Sequence, residues 1–243
     1  PVPVRSAEAV GAEPLSVVGT VAGRAFSSGT IVEVPLESGA GRRLWLPLLN
    51  GTERLGVMQM LFGDAADCLP EATLALCERY AHLVAMSVVT KTAYGDDFEI
   101  VRRRQPMTIA SELLWQLVPP LAFATDDLVI AGLLEPCYDN GGDAFDYAVN
   151  RGMLHAAVFD AMGHGLPAAG AAAFALSGYR HSRRCGDALV KTYAAMDSAL
   201  SEQFWVRFVT ALIAELEIAS GRFCWLSAGH PATASGPNRD RCR

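Results

Sequence analysis

Residues 140–165 read NGGDAFDYAVNRGMLHAAVFDAMGHG, and the fold turns on this stretch. Two apolar runs, AFDYAV and MLHAAVF, flank Asn150-Arg151-Gly152, so the stretch predicts a β-hairpin closed by a short turn. Asp143 lies just before the first strand and Asp160 just after the second. Antiparallel pairing brings those two ends together, which makes neighbours of two carboxylates that are 17 positions apart in sequence. Carboxylates that close repel unless a cation or a proton lies between them. Together with backbone carbonyls and water they form the hard-oxygen surroundings that suit Mg²⁺ or Mn²⁺. The flanking glycines permit close backbone approach. Gly163-His164-Gly165 then leads into a helix with Pro167 in its first turn, whose amides can face an anion such as phosphate. Asp beside Gly is also ordinary turn chemistry, and the residues by themselves leave both readings open.

The bulk properties narrow the field. The chain has 243 residues, 51% of them hydrophobic, enough for one large domain or two modest ones. Its net charge of −6 comes from acids that are spread rather than blocked, which argues against a nucleic-acid footprint. The longest uninterrupted apolar run, LPAAGAAAFAL at 166–176, is too short to span a bilayer, and no membrane association is expected. Arg5 and Glu8 interrupt the opening, so there is no signal-peptide pattern. Six cysteines form no CxxC pair, which excludes a zinc finger or ribbon. Five lie in or beside apolar segments and read as reduced, buried thiols, hence a cytoplasmic protein.

Outward from the hairpin, the pattern is of mixed helices and strands, an α+β chain. Apolar runs at about 43–49 and 54–62 flank Asn50-Gly51 and predict a second hairpin. A helix follows, with Asp67 as its N-cap and Leu74, Cys77, Ala81, Val84 and Val88 as one apolar stripe. That stripe meets either its own sheet or a partner's copy, so a homodimer is one expectation. Polar residues at 94–105, ended by Pro106, mark the domain boundary. A short helix over TIASELLWQLV, with Ile109, Leu113 and Leu117 on one face, stops at Pro119-Pro120. DLVIAGLLEP reads as a strand, helices cover about 166–184 and 186–203, and a last hairpin turns at Ala219-Ser220-Gly221.

GGDAFDY, then FDAMGHG after one hairpin, then the Ala-rich helix, FVTALIAELE and SAGHP resemble the SpoIIE/RsbU-type branch of the PPM (PP2C-like) serine/threonine phosphatases. ASELLWQLVPP is similar to the helix that precedes the catalytic core in that family. The resemblance implies a PPM-type β-sandwich flanked by helices, with a two-metal centre holding Mn²⁺ or Mg²⁺. It also implies a phosphorylated anti-anti-sigma (STAS) protein as substrate, and so control of a sigma factor. Carried over by residue, it makes Asp143, Asp160 and the backbone carbonyl of Ala161 metal ligands. Gly142, Asp146, Gly163, His164 and Gly165 become supporting residues, Asp146 ordering the strand entry and His164 shaping the loop. His230 falls in the AGHP turn, where a structural role is expected.

Two departures accompany this. Asn140 stands where the family most often has a small apolar residue. The further aspartates that the family places past SAGHP have no counterpart in ATASGPNRDRCR, so the domain is expected to be truncated. The first ninety residues resemble the later part of a GAF domain through GTVAGRAFSSGTIVEVPL, LPLLNGTERLGVMQML and the closing helix, which implies a sensor with a small-molecule ligand. The expected organisation is a partial GAF-like domain at 1–91, a helical linker at 92–120 and a phosphatase domain at 121–243. The alternative expectation is a non-catalytic regulatory module that binds a partner and dimerises.

Overall fold

The computed structural model describes residues 15–37, 41–63, 69–96, 99–100, 103, 105–135, 138–205 and 207–230. The chain divides into two compact units, Pro1–Arg104 and Gln105–Arg243.

The first unit contains α1 (Val21–Ser28), β1 (Val32–Pro35), β2 (Arg42–Asn50), β3 (Glu53–Phe62) and α2 (Glu71–Thr92). The strands form an antiparallel sheet in the order β1-β2-β3. The β2–β3 hairpin is where the sequence put it, but its two-residue turn is Gly51-Thr52, closed by the Asn50/Glu53 pair. Helix α1 was not legible in the apolar runs around it, although its signals are local. Thr20 accepts from the Gly23 amide at 2.9 Å as N-cap, and Gly29 closes the helix at φ 68°.

Leu44 and Leu46 of β2 are fully buried and pack with Cys77 and Ala81 of α2. The expected stripe on α2 therefore faces its own sheet. The proposed cap Asp67 lies outside the described residues, and Pro70 precedes the helix. Among the described residues, α2 rather than 166–176 is the helix long and apolar enough to cross a membrane by length and composition; its packing on β2 accounts for one apolar face.

The second unit opens with α3 (Ile109–Trp115) and a ribbon of β4 (Ala122–Ala124) and β5 (Val129–Ala131). The hairpin β6 (Asp143–Asn150) and β7 (Met153–Ala161) follows, then α4 (Leu166–Cys185), α5 (Leu189–Gln203), β8 (Val209–Glu217) and β9 (Arg222–Ala228). Strands β6-β7-β8-β9 form one antiparallel sheet in chain order. Arg151 (φ 51°) and Gly152 (φ 79°) form the two-residue turn of the central hairpin, the left-handed pair that matches strand twist.

One face of this sheet carries Ala144, Ala157, Phe159, Ala161, Ala211, Ile213 and Cys224 into the core. Helix α4 meets it with Ala168, Ala169, Ala171, Ala172, Ala175, Leu176 and Tyr179, small residues that let the helix lie close. Helix α3 docks on this core through Ala110 and Leu114, with Leu113 and Leu117 at its margin. Ile109, expected on the inner face, is 73% exposed, because Thr108 caps the helix and turns Ala110, Ser111 and Leu114 inward. The strand expected over DLVIAGLLEP shortens to β5, and positions 136–137 lie outside the described residues. Cys77 and Cys185 are free thiols, whereas Cys224 is disulfide-bonded, which corrects the reduced-thiol reading at that position.

Candidate metal-binding site

Asp143 and Asp160 are direct partners across β6 and β7. The Ala161 amide donates to the Gly142 carbonyl at 3.1 Å, so the next pair, Asp143/Asp160, is of the narrow type without backbone bonds between its members. Side chains in such a pair stand closest together. The adjoining pair, Ala144 and Phe159, is buried toward the helices, so the two carboxylates project from the opposite face. Burial, and next the Asp160 charge, push the Asp143 carboxyl above its ordinary value, while His230 pulls it down. Like charges held side by side are the local condition that a cation relieves.

The approach to this pair is built by Asn140, which is 2% exposed. Its Oδ1 accepts from the Gly142 and Asp143 amides, each at 3.1 Å, and its Nδ2 donates to the Asp143 carbonyl at 2.8 Å. Ser111 of α3 fixes Asn140 in turn: the Asn140 amide donates to Ser111 Oγ at 2.7 Å, and Ser111 Oγ donates to the Asn140 carbonyl at 3.1 Å. Because the Gly142 amide serves Asn140, it does not close the ladder onto the Ala161 carbonyl. That leaves this oxygen at the strand end as a donor to a cation. Replacing Asn140 by alanine strands two amides and a carbonyl, an expected loss of about 1–3 kcal/mol measurable by urea unfolding.

Two glycines are needed here for space. A Cβ on Gly141 would lie 2.5 Å from the Gly165 amide nitrogen, and one on Gly142 would lie 2.8 Å from the Ala161 oxygen. The loop Gly163-His164-Gly165, with positive φ at both glycines, therefore rests against the 140–142 turn. His164 is exposed and its backbone abuts Gly141, consistent with a loop-shaping role.

Asp146 does something else. Three positions from Asp143, it falls on the helix-facing side with a side chain only 1% exposed. Its Oδ1 receives Arg180 Nη2 at 2.6 Å and Nε at 3.1 Å, and its Oδ2 receives Arg183 Nη1 at 2.7 Å. Arg180 also donates to the Leu117 carbonyl at 2.5 Å, and Arg183 lies over the Tyr179 ring at 5.2 Å. Burial pushes the Tyr179 phenol up to about 12. Asp146 thus bolts α4 and the segment after α3 to β6.

Two residues join the site that the motifs did not single out for it. Thr210 of β8 is the register partner of Asp160, and its Oγ1 lies 2.9 Å from His230 Nδ1. His230 is also held through its carbonyl, which accepts from Ser227 Oγ at 2.8 Å. A row thus runs Asp143, Asp160, Thr210 across three strands, with the imidazole at its end. Thr210 needed the β7–β8 register to be seen. Asn140 carried a visible signal, an Asn-Gly-Gly step ahead of an aspartate.

Two carboxylates and a carbonyl suit one hard divalent cation. Among the described residues, no group of three or more His, Cys, Asp or Glu side chains could hold a metal. The donors therefore fit one cation and fall short of a two-metal set. Asp143→Asn is expected to raise the melting temperature of the metal-free protein at neutral pH, since like charges directly opposite on paired strands cost roughly 0.2–1 kcal/mol. The sign follows from the shift. A carboxyl raised in the fold keeps its proton where the unfolded chain has lost it, so stability falls as pH rises through the raised value. The variant loses that slope.

An α+β unit presenting paired acids at one end of an antiparallel hairpin defines the class of site. Comparison with known proteins adds to this. Residues 150–236 match the family described as Stage II sporulation protein E (SpoIIE). The matched range includes Asp160, Ala161, Thr210 and His230 and begins beyond Asp143. A crystal structure of the RsbU and RsbW domains of a Mycobacterium tuberculosis protein is similar at 30% identity and a TM-score of 0.36. That match covers 37% of this chain and 26% of the other. No curated protein matches the chain.

Proposed function

We propose that the second unit is the catalytic part of a metal-dependent protein phosphatase of the PPM type, acting on phosphoserine or phosphothreonine. The observation that carries this reading is the direct pairing of Asp143 with Asp160, and the SpoIIE match over 150–236 supports it. Asp143, Asp160 and the Ala161 carbonyl would hold Mn²⁺ or Mg²⁺. Bound there, the cation supplies Lewis acidity toward water and a phosphoryl oxygen. The chain's own part is to fix the acids. Asn140 sets the Asp143 backbone, the β7–β8 ladder sets Asp160, and the glycine loop packs against the 140–142 turn.

The substrate in this reading is a phosphorylated STAS-type protein, and the output is control of a sigma factor in the cytoplasm. A second metal, a GAF-like sensor in the first unit, its small-molecule ligand and a homodimer belong to the same proposal. The decisive experiment is hydrolysis of a phosphoserine-bearing STAS-domain protein with Mn²⁺, with chelator, and with Mn²⁺ restored. Activity that follows the metal supports the reading, and activity indifferent to chelator refutes it.

A partner-binding, non-catalytic module is the second reading. It is favoured by the absence, among the described residues, of a third acid near the pair. Calorimetric titration with Mn²⁺ separates the two, since tight binding counts against a module without chemistry.

A further inference from the structure

Between α5 and β8 the chain carries three aromatics in five positions, Phe204, Trp205 and Phe208, with Arg207 among them. Phe204 is an anchor. Its amide donates to the Leu200 carbonyl at 2.8 Å, and its ring meets Phe174 edge-on at 5.6 Å. The far end is fixed as well. The Met162 amide donates to the Phe208 carbonyl at 2.9 Å, and Arg207 Nη1 donates to the Met162 carbonyl at 3.2 Å. Between those fixed points Trp205 is 91% exposed, and the Phe208 side chain at the far end is 60% exposed.

Large aromatics left in water beside hydrogen-bonded backbone are unusual, because nothing among the described residues of this unit recovers their apolar area. They are also the side chains, with arginine, that dominate protein–protein hot spots.

The position says which partner. Met162 follows Ala161 directly, and a Cβ on Gly163 would lie 3.0 Å from Arg207 Nη1. Thr210, two residues past Phe208, is the register partner of Asp160. The aromatic and basic lip is therefore continuous with the end of the hairpin that carries the paired acids. Any protein that delivers a phosphorylated side chain to those acids must cover neighbouring surface, and a guanidinium there complements its negative charge.

We propose that Trp205, Arg207 and Phe208 form the docking lip for the phosphoprotein substrate, with Trp205 as the apolar anchor and Arg207 as the charge complement. This rests on the phosphatase reading for the identity of the partner, and on the lip's own geometry for its role as an interface.

The test uses the whole chain with Mn²⁺ and two substrates, a phosphoserine-bearing STAS-domain protein and para-nitrophenyl phosphate. Trp205→Ala is expected to raise KM for the phosphoprotein at least tenfold, with kcat, melting temperature and para-nitrophenyl phosphate hydrolysis unchanged. Arg207→Glu should weaken the phosphoprotein further. Equal KM for the phosphoprotein in wild type and Trp205→Ala overturns the lip. Calorimetric binding of the phosphoprotein to Asp160→Asn, with and without Trp205→Ala, keeps the two ideas apart. Trp205-dependent binding, together with a wild-type chain that hydrolyses neither substrate in the presence of Mn²⁺, supports the lip and sinks the phosphatase reading. A shift in tryptophan emission caused by anionic vesicles but not by the phosphoprotein assigns the surface to a membrane and overturns it.

Discussion

Asp146→Ala is expected to destabilise the second unit by about 3–5 kcal/mol, the usual cost of removing one member of a buried ion pair. The side chain is 1% exposed and its two oxygens receive both Arg180 and Arg183. Without it, two guanidiniums remain close together, Arg183 only 10% exposed, with no carboxylate between them. Part of the loss is mechanical, since Arg180 also ties the Leu117 carbonyl to α4. Equilibrium urea unfolding reads the effect directly. Replacing Asp146, Arg180 and Arg183 together by apolar residues of similar size is expected to recover much of the loss, because no uncompensated charge is then left inside. A fall below about 1 kcal/mol in the single variant would show that water already reaches this cluster. Because Asp146 faces the helices and Asp143 the other side, Mn²⁺ binding should persist wherever the variant is folded.

Asp160→Asn is expected to lower Mn²⁺-dependent phosphoprotein hydrolysis at least 100-fold while leaving the fold intact. The change is nearly isosteric, and it removes one of the two carboxylates that the proposed phosphatase reading makes ligands of a hard cation. Metal catalysis of this kind supplies several kcal/mol of charge stabilisation, and each 1.36 kcal/mol is a factor of ten in rate. Losing even half of it exceeds the threshold. Retention of more than a third of wild-type activity, with Mn²⁺ affinity unchanged in the same preparation, would remove Asp160 from the site. The outcome also distinguishes the carboxylate pair from the Asn140 turn, whose loss should act on stability and metal affinity together.

What could be read in the sequence was whatever depends on local pattern. The short turn at Asn150-Arg151-Gly152, the alternation on either side and the acids at the strand ends place Asp143 beside Asp160 from the sequence, and the structure narrows the turn to Arg151-Gly152. Alanine spacing and the flanking glycines gave α4 nearly to its ends, because helix termini are marked by local chemistry. The misses have tertiary causes. Ile109 has the spacing of a core residue, but the Thr108 cap and the docking of Ala110 and Leu114 on the alanine core rotate it outward. Asp146, expected as a supporting residue, does anchor β6, but its partners are two arginines 34 and 37 positions away that no local pattern names. Thr210 became visible only through the pairing of β7 with β8. No local pattern encodes that pairing.

The parity of the hairpin has one more consequence. Asp143 and Asp146 are an odd number of positions apart, so one faces water and the other faces the helices. A slip of β6 by a single residue would exchange those environments. Asp146 would leave its arginines for the open face, and Asp143 would enter the alanine core with no cation to meet it. Both errors carry a charge penalty, and they arise from the same displacement. The two acids therefore act as a proofreading pair for strand alignment: the register that assembles the open carboxylate row is also the one in which the buried acid is neutralised.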